Sequence, residues 1–64
     1  MFIVKATAVS GRPLEEKFDG AEDAYQKAKQ WIAAGFADVR LSEEGKTWHQ
    51  GMSDIRTFIA GLGY

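Results

Sequence analysis

Residues whose spacing suggests chemistry centre on one stretch, GKTWHQGM at positions 45–52. It contains the only histidine, His49, directly after Trp48. A serine-histidine-aspartate relay would have to join His49 with Ser10, Ser42 or Ser53 and with Asp38 or Asp54. Any chain with one histidine offers such combinations, and none of these serines stands in the strand-to-helix elbow that exposes a nucleophile. Asp38 and His49 could meet across a hairpin as metal ligands, but two ligands are too few for a closed site. Gly45-Lys46-Thr47 has the ending of a phosphate-binding loop, yet where that loop requires its first glycine the chain has Arg40. The carboxylate pairs Glu15/Glu16 and Glu43/Glu44 are adjacent, so on a strand they point to opposite faces. No enzyme activity, cofactor or metal is expected.

Recognition is the chemistry that remains. Trp48, His49, Arg40 and Lys46 form a candidate binding patch, because aromatic side chains and arginine are the residues that anchor interfaces. The turn before Trp48 decides its geometry. With a two-residue loop, Glu44-Gly45, Ser42 opposes Thr47, Leu41 opposes Trp48 and Arg40 opposes His49. Trp48 then joins the buried face of Val39 and Leu41, and His49 points outward beside Arg40. With a three-residue loop, Glu43-Glu44-Gly45, the pairing slips by one and Trp48 opposes Arg40 on the outer face. A small domain needs its largest apolar groups inside, which favours a buried Trp48 at the end of an ordinary strand.

The elements that position these residues are legible from the pattern. The 64 residues make one domain, 1–64, without a cysteine and so without disulfides or thiolate metal sites. A chain this short buries only about 60% of the surface its unfolded form exposes, so packing or self-association must supply its stability. FIVKATAV (2–9) reads as a strand, SGRP as a turn and LEEKF (14–18) as a returning strand. In DGAEDAYQKAKQWIAAGF, Ala21, Ala24, Tyr25, Ala28, Trp31 and Ile32 follow the spacing of one helical stripe. Asp19 is the expected N-cap, Asp23 the expected partner of Lys27, and Gly35 with Phe36 the expected C-terminal stop. ADVRLS (37–42) and TWHQ (47–50) form a second hairpin, after which Ser53 is expected to cap a helix carrying Ile55, Phe58, Ile59 and Leu62. The order is ββαββα. Gly20 and Gly51, Asp23 and Asp54, Ala24 and Ile55, Ala28 and Ile59, and Trp31 and Leu62 recur at equal spacing, too weak a signal to separate a repeat from chance. The expected fold is an α+β two-layer sandwich, both helices on one face of a four-stranded, mainly antiparallel sheet.

The net charge is −1 and the densest charge is acidic, Glu15 to Asp23, which reads as edge protection followed by helix-dipole complementarity. Nonspecific nucleic-acid or anionic-membrane partners are thereby disfavoured. The opening MFIVKATAV reaches Lys5 after four residues and lacks the apolar core of a signal peptide, so a cytoplasmic location is the default. In the first strand neither parity is fully polar, and an outer face carrying Ile3 and Val9 would mark an interaction surface. The expected function is a small non-enzymatic interaction domain. It would form a homodimer or bind a protein partner through the open sheet face or an edge strand. The alternative is a nucleic-acid adaptor displaying Trp48 beside Arg40, Lys46 and Lys5.

Overall fold

The computed structural model describes residues 1–63 and contains six elements: β1 (Phe2–Thr7), β2 (Pro13–Phe18), α1 (Ala21–Ala33), β3 (Ala37–Glu43), β4 (Trp48–Gln50) and α2 (Met52–Gly61). The strands form one antiparallel sheet in the order β2-β1-β3-β4, so two hairpins meet along their first strands. The α+β sandwich in ββαββα order is the architecture of the protein.

Period-two burial in β1 fixes which face the helices cover. Phe2, Val4 and Ala6 are buried, while Ile3, Lys5 and Thr7 alternate with them on the other side. Val4 pairs with Leu41, and both join Val39, Ala24, Ala28, Ile55 and Ile59 in a single core. Alanines on α1 allow close approach to both the sheet and α2, and the bulk is supplied by Leu41, Ile55 and Ile59. Fully burying each of these aliphatic side chains stabilises the fold by about 1.5–3 kcal/mol.

The end of α1 forms as its glycine implies. Gly35 has φ 86°, its N–H donates to the Ile32 carbonyl, and the Phe36 N–H donates to the Trp31 carbonyl. Those two bonds and the Trp31–Phe36 contact, ring centroids 6.2 Å apart, complete a Schellman ending. The helix starts differ from expectation. Gly20 and Gly51, not Asp19 and Ser53, are the N-caps, and neither makes a side-chain capping bond. Glu22, Asp23 and Asp54 in the first turns complement the helix dipoles instead. Among the described residues Lys27 forms no ion pair with Asp23 and instead reaches Glu16 on β2 at 3.5 Å, tying α1 to the sheet edge. Tyr25, Trp31 and Ile32 are half-buried at the margin of the core.

β1 is shorter than its apolar run. It ends at Thr7, and Ala8 starts the turn, its N–H bonded to the Arg12 carbonyl and its carbonyl to the Gly11 N–H. Val9 is therefore 81% exposed in that turn and contributes nothing to the outer sheet face. That face is polar along most of its length, and the apolar surface expected from Ile3 and Val9 does not form.

Candidate functional site

The β3–β4 hairpin sets the site, and its register differs from both readings of the sequence. The turn is the two-residue Glu44-Gly45, with φ 59° and 75° and a Lys46 N–H to Glu43 carbonyl bond, a type I′ geometry. The ladder beyond it then skips one residue. Ser42 pairs with Trp48, Leu41 with His49 and Arg40 with Gln50, leaving Thr47 as the extra residue of a bulge.

The slip has causes at both ends. The Glu44 N–H donates to the Met1 carbonyl at 2.8 Å, docking the turn on the start of β1. At the other end the Gly51 N–H donates to the Val39 carbonyl at 3.2 Å, in line with the same register. The stretch between these anchors is one residue longer than a regular hairpin holds.

One residue of slip reverses the strand's facing. Trp48, expected in the core, lies on the outer face, and His49, expected outside, faces the helices. His49 stacks on Phe58 of α2, ring centroids 4.1 Å apart with 15° between planes. Lys46 follows it to that side. Lys46, His49 and Phe58 line a shallow hollow of about 300 Å³ with Glu43 and Thr47, and Lys46 stands 3.9 Å from Glu44. The candidate patch is thus divided, with Trp48 and Arg40 on the open face and His49 and Lys46 behind it.

On the open face Trp48 has two cationic neighbours. Lys5 Nζ lies 5.3 Å from the centre of the Trp48 ring, and the Arg40 guanidinium carbon lies 5.8 Å from it. Each contact contributes about 0.5–1 kcal/mol at a surface position. Under the ring, Ser42 is fully buried although it belongs to the outward side of β3. Trp48 itself is half-buried. At the corner of the same face the hairpin curls over Ile3, whose Cδ1 would lie 3.7 Å from a Cβ on Gly45.

Lys5 and Arg40 are also directly opposed across β1 and β3. Like charges at opposed positions destabilise a sheet by about 0.2–1 kcal/mol relative to neutral residues. Glu15, which pairs with Lys5 at 3.4 Å, relieves part of this, and among the described residues Arg40 hydrogen-bonds the Asp38 carbonyl and pairs with no carboxylate. A double-mutant cycle of Lys5→Gln and Arg40→Gln by thermal melting is expected to give an unfavourable coupling of that size, shrinking as salt is added. A favourable coupling would mean that the two cations support each other through Trp48 instead of competing.

Among the described residues no group of three or more His, Asp or Glu side chains is placed to hold a metal. No helix there is long and apolar enough to cross a membrane. No protein-family model, curated protein or solved structure matches the chain.

Proposed function

We propose that the chain is a non-enzymatic interaction domain whose working surface is the open sheet face, with Trp48 as its anchor. A single observation carries this reading: two like-charged neighbours, Lys5 and Arg40, flank one tryptophan on a face that no helix covers. A sheet selected for stability alone would place complementary charges at those positions, and sequences depart from local rules chiefly where function requires it. Aromatic and arginine side chains at the centre of a surface are also the groups that dominate binding energies.

The face is a better docking site than either edge. β2 presents Glu15, Glu16 and Lys17, all exposed, along its free side, the charged pattern that keeps other strands from adding. β4 has three residues, too few for a stable added strand.

Site-specific photo-crosslinking in cells tests the reading. A crosslinker at Gln50, exposed beside Arg40 on β4, is expected to capture a discrete partner, and capture should be lost when Trp48 is replaced by alanine. The same group at Gln30, exposed on α1, is expected to capture nothing specific. Specific adducts from position 30 with none from position 50 would place the working surface on the helices instead.

A further inference from the structure

We propose that the open face binds single-stranded nucleic acid, with a base stacked on Trp48 and the adjoining phosphate between Lys5 and Arg40. The inference rests on that face being the working surface. An anion between two opposed cations removes the repulsion that the free protein carries there. Lys5 and Arg40 share one hollow of about 350 Å³, with Ala6, Thr7, Pro13, Leu14 and Glu15 as the rest of its lining. Part of the charge on this face is uncommitted, although Lys5 is paired with Glu15. Among the described residues neither Arg40 nor Lys17 has a carboxylate within ion-pair reach, whereas Lys27 on the helix side is held by Glu16. Lys17 pairs with Ile3 in the register, so it stands on the open face, one strand from Lys5. Glu22, Asp23 and Asp54 sit at the helix starts, so an approaching polyanion is turned toward the sheet.

The same features disfavour other occupants. A second copy docked face to face would bring two sets of Lys5, Lys17 and Arg40 into one interface, concentrating positive charge there. An acidic peptide supplies anions without a flat ring for Trp48. Each nucleotide supplies both, and a base is free to stack on a side chain only where it is unpaired.

Trp48 can report directly once Trp31 is replaced by phenylalanine. Titration at low salt with oligothymidylate of roughly 10 nucleotides, within the ~4–16 typical of a small single-strand binder, is expected to quench its emission. By anisotropy of the labelled oligonucleotide, Trp48→Ala should weaken binding roughly 5- to 150-fold, the worth of one stacked base. Arg40→Gln keeps the tryptophan and tests the charge. It should make the slope of log affinity against log salt less negative by about 0.7, the value of one phosphate contact on a single strand. Unchanged emission, equal affinity for duplex, equal competition by polyglutamate, or a salt slope indifferent to Arg40→Gln would each overturn the inference. Protein adducts from the crosslinker at position 50, together with unchanged emission, would overturn the nucleic-acid partner while leaving the open face as the working surface. No adduct of any kind from position 50 would remove both.

Discussion

Ile55→Ala is expected to lower stability by about 2–5 kcal/mol, the usual range for truncating a fully buried aliphatic side chain. Ile55 has no exposed surface and shares the core with Ala24, Ala28 and Leu41. The alanines explain why the loss should fall high in that range. Methyl groups on α1 cannot extend into the space that Ile55 leaves, so the cavity persists instead of collapsing. A 64-residue domain has roughly 3–10 kcal/mol of stability in total, so the variant should lie close to its unfolding midpoint at moderate temperature. Thermal melting followed by far-ultraviolet circular dichroism should show a fall on the order of 10–40 °C. Leu62→Ala is the control, since Leu62 is 38% exposed beyond the end of α2, and its effect should stay within about 0.5 kcal/mol. Equal shifts for the two variants would mean that α2 is not pinned through Ile55.

That core was legible in the chain because it rests on periodicity. Ala21, Ala24 and Ala28 on α1, Ile55 and Ile59 on α2, and Val39 and Leu41 on β3 are all buried at the positions their spacing implies. Of the equal-spacing matches, Gly20 and Gly51 are both N-caps and Ala24/Ile55 and Ala28/Ile59 are buried pairs, but half-buried Trp31 within α1 answers to exposed Leu62 beyond the end of α2. Features that depend on a single residue's count were not legible. The two-residue turn at Glu44-Gly45 was one of two loops the sequence left open, both with Gly45 at positive φ, and Glu44 at φ 59° is not a residue that type I′ turns favour. The bulge at Thr47 was not legible, because it arises from tertiary anchors at Met1 and Val39 that no local pattern encodes.

The binding face shows the same division. Trp48, Arg40, Lys46 and Lys5 could be grouped by residue type, but Lys5 lies far away in sequence and reaches Trp48 only through the β1–β3 register. Its signal was present in β1, where Lys5 interrupts the apolar run FIVKAT. Reading it required knowing that β1 and β3 are neighbours, which the order β2-β1-β3-β4 settles. His49 and Lys46 were drawn into the patch by adjacency along the chain, and strand alternation separates adjacent residues as readily as it joins distant ones.

Gly51 connects this face to the core, and its replacement by alanine should show how. Gly51 has φ 86° and ψ 156°, a conformation that residues with a Cβ rarely adopt, and it is the single residue between β4 and α2. A Cβ there would meet nothing within 4 Å, so the expected cost of about 1–3 kcal/mol is one of backbone strain and not of collision. Gly61→Ala offers the opposite case. Gly61 lies at the end of α2 with an ordinary φ and open space around it, and alanine there should stabilise by roughly 0.4–1 kcal/mol. The two variants should therefore move the melting temperature in opposite directions, and equal shifts of one sign would show that Gly51 is not conformationally required. The Gly51 variant should have a second effect. Its N–H provides the rung to Val39 that holds a three-residue strand in register, and Trp48 lies over Ser42 only while that register lasts. With Trp31 replaced by phenylalanine, Trp48 emission in Gly51→Ala should shift to the red at temperatures below the global transition. Trp48 emission that changes only with global unfolding would mean that the bulge and the Met1 anchor hold β4 without Gly51, and that the open face is built more rigidly than its short edge strand implies.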